Sequence, residues 1–96
     1  MKCYLISYDL NEPGQDYPSI IKAIETYEMR CKILKSQWLL LSNKTADEIF
    51  RHLNRFIDTN DELFVCEINW NCCGKFNESL PCKWVDNLRR SRADKN

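Results

Sequence analysis

The residues best suited to chemistry lie where an apolar run stops. Cys3-Tyr4-Leu5-Ile6-Ser7-Tyr8-Asp9 is rich in aromatic and branched side chains and reads as a buried strand. The acid at its end precedes Leu10-Asn11-Glu12-Pro13-Gly14, where a sheet gives way to a loop. Small α/β folds often gather chemistry at such edges. Magnesium and manganese take oxygen ligands and keep several waters, so one carboxylate per subunit, doubled by symmetry, can hold an ion. Asp9 is therefore the candidate metal ligand and catalytic residue. The structural alternative has Asp9 cap the turn by accepting the amide of Asn11 or Glu12. Ser7, Asn11 and Ser36 could line the same edge. A Ser-Asp pair without a base is no triad, and the single histidine, His52, falls on the polar side of a different element. No cysteine has a histidine partner in view, so cysteine nucleophilic catalysis is unsupported.

Six cysteines invite a second reading. Cys3 and Cys66 sit inside predicted strands and read as small buried hydrophobes. Cys72-Cys73 with Cys82 suggests zinc, but adjacent cysteines reach one ion poorly and His52 lies elsewhere, so zinc is disfavoured. Trp38, Trp70 and Trp84 could stack on bases, although tryptophans at apolar positions more often belong to a core or an interface. Trp70, between two asparagines, is the best exposed candidate, and Lys75 nearby suits a phosphate. Arg89 and Arg90 belong to the one dense basic cluster, which reads more readily as a solvated tail than as a binding patch. Asp58, Asp61 and Glu62 lack the glycine and spacing of a calcium loop and read as a solvated turn.

The chain has 96 residues, enough for one domain and one core. Formal net charge is zero, which argues against strong nonspecific duplex binding, since such affinity comes from many Lys and Arg contacts. The apolar run at the start is short and meets Asp9 at once, so neither a signal peptide nor a membrane span is expected. The expected setting is cytoplasmic, with the cysteines as thiols.

Apolar periodicity gives the elements that must position these residues. Strand one spans about Lys2 to Asp9. A helix from Asp16 or Tyr17 to Glu28 carries a stripe of Tyr17, Ile20, Ile21, Ile24 and Tyr27. A long strand runs from about Lys32 to Ser42. Thr45-Ala46-Asp47-Glu48 is a capping box that opens a helix to about Ile57, with Ile49, Phe50, Leu53, Phe56 and Ile57 on its apolar face. Glu62 to Ile68 is a near-continuous apolar run and reads as a central strand covered on both faces. A short further strand could fall within Asn69 to Phe76. Ser79-Leu80-Pro81 starts a last helix, with Trp84, Val85 and Leu88 as its stripe. Two compact solutions suit this order, a short parallel sheet or a split β-α-β sheet. The second requires the long strand to be a hairpin, broken near Lys35-Ser36 into Cys31–Leu34 and Gln37–Ser42. That gives a ferredoxin-like βαββαβ sandwich of class α+β, with residues 1–68 as its core and 69–96 as a cysteine-containing helical extension.

Four blocks occurring in order carry a resemblance. Tyr8-Asp9-Leu10-Asn11, Pro13-Gly14-Gln15-Asp16-Tyr17, Ser36-Gln37-Trp38-Leu39 and Asp61-Glu62-Leu63-Phe64-Val65 resemble the small SinR-like proteins. Those look like distant relatives of the CRISPR-associated adaptation protein two and of VapD. The resemblance spans about residues 1–68. It implies a ferredoxin-like fold and a homodimer joined through sheet faces or edges. It also implies that Asp9 and its symmetry copy hold a divalent metal that activates water against a phosphodiester. Some relatives are nucleases, while others only bind nucleic acid. This chain departs from the pattern: the loop after Asp9 carries Glu12 and Asp16 and no basic residue before Lys22. Two functions follow as expectations. One is a metal-dependent, nuclease-like dimer acting on RNA or DNA through Asp9. The other is a non-catalytic dimer that binds a nucleic acid, a nucleotide or a protein.

Overall fold

The central strand is the one that ends in Asp9. In the computed structural model, which describes residues 1–11, 17–76 and 82–85, β1 (Lys2–Asp9) lies between two partners. β2 (Met29–Leu34) and β3 (Gln37–Ser42) form a hairpin, and β4 (Glu62–Ile68) closes the other side. The sheet order is β2-β3-β1-β4, and every pairing is antiparallel. The short parallel sheet is thereby excluded, and the long strand does break at Lys35-Ser36. The chain is an α+β protein with an open four-stranded antiparallel sheet.

Two helices cover one face. α1 (Tyr17–Ile24) carries Pro18 in its first turn, where a missing N–H costs no helical hydrogen bond. Ile20, Ala23 and Ile24 are buried at its inner side. It stops short of Glu28 for a local reason. The Thr26 hydroxyl donates back to the Ala23 carbonyl at 2.6 Å, and the amides of Thr26 and Tyr27 bond three residues back. These tight turns wind the helix down before β2 begins.

α2 (Ala46–Asn54) opens on the expected capping box. The Glu48 amide donates to Thr45 Oγ1 at 3.1 Å, and the Thr45 amide donates to Glu48 Oε1 at 3.0 Å. Ile49 and Leu53 point inward, but Phe50 is exposed, against expectation. The helix ends at Asn54 rather than Ile57, because Phe56 bonds three residues back to Leu53. The core beneath both helices joins Tyr4, Ile6 and Tyr8 of β1 to Trp38 and Leu40 of β3. Each fully buried Leu or Ile there contributes about 1.5–3 kcal/mol. The buried polar tips are satisfied: the Tyr4 hydroxyl donates to the Lys44 carbonyl at 2.7 Å, and Trp38 Nε1 donates to the Tyr8 hydroxyl at 3.3 Å.

Three further expectations fail. β4 is an edge strand, and its Phe64 is 61% exposed. A run read as covered on both faces is covered mainly on one: Leu63 and Val65 pack on the helical side, while on the other face Ile68 meets the second apolar cluster and Phe64 stays exposed. No strand forms within residues 69–76, because Trp70 takes a left-handed φ of 69° and the Asn71 amide turns back to Asn69 Oδ1 at 3.0 Å. The expectation of six thiols fails as well, since Cys31 and Cys82 form a disulfide with Cα atoms 5.8 Å apart. Of the last predicted helix, one turn at Lys83, Trp84 and Val85 is described. Its Ser79-Leu80-Pro81 start and Leu88 lie outside the described residues. No described helix is long and apolar enough to cross a membrane.

Candidate functional site

Among the described residues the second sheet face is only partly covered, and Asp9 stands exposed at its far end. Alternation along β1 puts Cys3, Leu5, Ser7 and Asp9 on one side. Register carries that side across the sheet. Ser7 faces Gln37 of β3 and Phe64 of β4, while Asp9 faces Glu62. Directly paired residues share a face, with Cα atoms about 4.5–5.5 Å apart. Gln37 Nε2 donates to Ser7 Oγ at 3.2 Å, which fixes the middle of the row. Ser7, Asp9, Glu62, Leu63 and Phe64 line a shallow hollow of about 370 Å³.

The turn residues place this end of β1. The Tyr8 amide donates to the Ser36 carbonyl at 3.1 Å, so the Lys35-Ser36 turn lies beside Asp9. Asp9 does not cap Asn11. Asp61 does so instead: its Oδ1 accepts the Asn11 amide at 2.8 Å and its Oδ2 accepts the Asp58 amide at 2.8 Å. One carboxylate thus clasps two loops behind the site, and Asp9 is left exposed. Asp58, Asp61 and Glu62, read from sequence as one solvated turn, divide into a clasp and a strand residue that opposes Asp9. Glu62 is the site residue that sequence reading missed. The signal was available, since pairing Asp9 against the first residue of the next apolar run puts two acids side by side.

Like charges directly opposite each other on a sheet repel. Among the described residues, neither Asp9 nor Glu62 forms an ion pair. Their four carboxylate oxygens are hard donors of the kind magnesium and manganese accept, so the donor chemistry fits such an ion. No group of three or more His, Cys, Asp or Glu residues gathers as a metal site among the described residues. Water or a second copy of the chain would have to complete the shell.

The other sequence candidates lie apart from Asp9. Trp70 follows the far end of β4 and is half-buried, packed against the second apolar cluster rather than free to stack. Lys75 is exposed on the rim of a separate hollow of about 280 Å³, where Leu5, Leu39 and Ile68 form an apolar floor. Arg89 and Arg90 lie outside the described residues. Cys82 is bonded to Cys31, so it is not the free thiolate that a zinc site with Cys72 and Cys73 would use. Burial, with Cys72 nearby as a lesser cause, pushes the Cys3 thiol up to about 12, which keeps it protonated and inert.

His52 corrects a further expectation. It lies against Tyr27 rather than on a purely polar face, with the Tyr27 hydroxyl 2.8 Å from Nδ1 and Phe56 edge-on at 5.6 Å between ring centroids. Burial first, then Lys44 and Arg55, holds its pKa below the usual histidine value. Burial, then the charge of Glu48, raises that of Tyr27. The Lys44 ammonium stands 5.4 Å from the Tyr27 ring centroid. These contacts join α2 to the end of α1, and they make His52 a packing residue.

No family model, curated protein or solved structure matches this chain.

Proposed function

We propose that this protein is a homodimeric, nuclease-like protein that takes a nucleic-acid strand on the open sheet face, with Asp9 as its catalytic residue. The observation that carries the reading is the pairing of Asp9 with Glu62 beside the exposed ring of Phe64. Asp9 and Glu62 would hold a magnesium or manganese ion. When bound, such an ion lowers the pKa of its water and polarises a phosphoryl oxygen. Phe64 offers a flat apolar surface on which a base can stack. Ser7, held by Gln37, sets a hydroxyl directly opposite Phe64 and next to Asp9 on the same face.

The fold reading is ferredoxin-like. The element order β-α-β-β-α-β and the strand order β2-β3-β1-β4 support it, as does the resemblance of four sequence blocks to SinR-like proteins. The dimer reading rests on the edges of the sheet. β2 carries Arg30 and Lys32 and an irregularity in register between Lys32 and Leu34, features that discourage pairing. β4 has no proline, lysine or shift in register along its seven residues. Its outer edge is open to the same strand of a second copy. A cytoplasmic setting belongs to the same reading.

One observation favours the second function, a dimer that binds without cleaving. Asp9, Glu62 and the neighbouring Asp58 and Asp61 make this end of the described structure acidic, and a phosphate approaching there meets repulsion. Labelled RNA and DNA incubated with wild type and Asp9→Ala, in magnesium, in manganese and in chelator, separate the two. Metal-dependent cleavage by wild type alone is the expected result. Equal cleavage by both proteins, or none by either, rejects the nuclease reading.

A further inference from the structure

All six cysteines of the chain stand on the second sheet face. Cys3 and Cys31 are buried in its apolar cluster, and Cys82 packs against that cluster, bonded to Cys31. Cys66 pairs directly with Leu5 and so shares the face. Cys72 and Cys73 line the hollow whose floor is Leu5, Leu39 and Ile68. The six differ in access. Cys31 is 1% exposed, whereas Cys72 and Cys73 are free and exposed. A reagent in solution meets that pair before it meets Cys31.

The chain after β4 carries the pair toward the disulfide. Trp70 takes a left-handed φ and the Asn71 amide donates to Asn69 Oδ1, so the chain leaves the strand direction here. The hollow that Cys72 and Cys73 then line reaches across to Ile33 and Leu34 of β2, and Val85 borders it as well. Ile33 and Val85 belong to the same cluster as Cys31 and Cys82. Cys66 has no such reach. It is fixed in β4, three strands from β2 in the sheet order, a spacing of about 14 Å. Cys3 is buried, and its raised pKa keeps it protonated. The exposed pair is also poorly made to keep a bond of its own. Consecutive Cα atoms stand about 3.8 Å apart, short of the roughly 4.4–6.8 Å that disulfides span without strain. Cys31 and Cys82 stand 5.8 Å apart, within that span. A bond formed at the pair therefore passes toward Cys31 and Cys82 rather than away from them.

We propose that Cys72 and Cys73 are the exchange thiols through which the Cys31–Cys82 disulfide forms, with a small disulfide such as oxidised glutathione as the oxidant. The thiolate of one of the pair attacks the oxidant, forms a mixed disulfide and releases one glutathione thiolate. The Cys82 thiolate attacks the protein sulfur of that bond and releases the second glutathione. The Cys31 thiolate then attacks the Cys82 sulfur and frees the exchange thiol. In all, two electrons pass from Cys31 and Cys82 to the oxidant, and their two protons end on the two glutathione thiols. This inference stands whether or not Asp9 cleaves nucleic acid.

The test starts from the full chain reduced with dithiothreitol, freed of it and given oxidised glutathione. Samples are alkylated at intervals, and the Cys31–Cys82 bond is followed by mass spectrometry. The double variant Cys72→Ser, Cys73→Ser changes two exposed side chains, so the fold should stand, and circular dichroism checks it. It should form the bond about tenfold or more slowly than wild type, because it loses an exchange that is intramolecular. Cys66→Ser should keep the wild-type rate. In Cys31→Ala the last step is blocked, and Cys82 should be recovered bonded to Cys72 or Cys73. Equal rates for wild type and the double variant would overturn the proposal. So would a Cys66→Ser as slow as the double variant, a Cys82 that pairs with neither thiol in Cys31→Ala, or no Cys31–Cys82 bond in oxidised wild type.

Discussion

Asp61 is the residue on which the shape of the acidic end depends, and its removal has a calculable effect. Its two carboxylate oxygens accept the Asn11 and Asp58 amides, each at 2.8 Å. Hydrogen bonds to a charged group contribute about 1.5–3 kcal/mol each when buried, and about 0.5–1.5 kcal/mol is the net for ordinary bonds. These two are exposed, so the lower range applies, and Asp61→Ala should cost about 1–3 kcal/mol in total. Asp61→Asn keeps one acceptor oxygen and should lose roughly half as much. For a domain of this size, about 1 kcal/mol lowers Tm by about 4–8 °C. Thermal melts followed by circular dichroism at neutral pH would therefore separate wild type, Asn and Ala in that order. The alanine variant should also loosen the loop after β1 in hydrogen exchange at Asn11. The reasoning is refuted if Asp61→Ala melts with wild type, or if Asn and Ala lose the same amount.

Glu62→Gln removes one of two facing acids and should raise stability by about 0.2–1 kcal/mol in chelator. Excess manganese should reverse that order by stabilising only the wild type, whereas a less stable Glu62→Gln in chelator would contradict the pairing. His52 has a folded pKa below its ordinary value of 6.5. The unfolded chain therefore binds the extra proton more readily, and the contribution of His52 is complete above about pH 6.5 and lost as pH falls through the folded value. Denaturant midpoints measured from pH 7.5 down to pH 5 should fall more steeply for wild type than for His52→Gln, and parallel curves would remove His52 as the cause.

Local patterning made most of the fold legible. β1, the capping box at Thr45 and Glu48, and the start of β4 follow from periodicity and from side-chain oxygens that suit free amides. What sequence could not give was set by pairing. β4 has the composition of a central strand, yet it lies at the edge, with α1 and α2 on one sheet face and, among the described residues, only a short cover on the other. Phe64 is exposed for that reason. Helix ends were misjudged by three or four residues wherever a three-residue backbone bond replaced a four-residue one, at Tyr27 and Phe56. Asp9 could be singled out from the strand it ends. Glu62 could be reached only by pairing that strand end against the start of the next apolar run, a register between residues more than fifty positions apart. The Cys31–Cys82 bond was hidden for a similar reason, its partners being 51 residues apart.

The central claim is that Asp9 and Glu62 act together on a divalent ion. Electron paramagnetic resonance of free manganese, titrated with wild type, Asp9→Asn and Glu62→Gln, tests it most directly. Wild type should deplete the free signal, and each substitution should weaken binding by tenfold or more, about 1.4 kcal/mol. Depletion by the two variants equal to that of wild type, or no depletion by wild type, would contradict it.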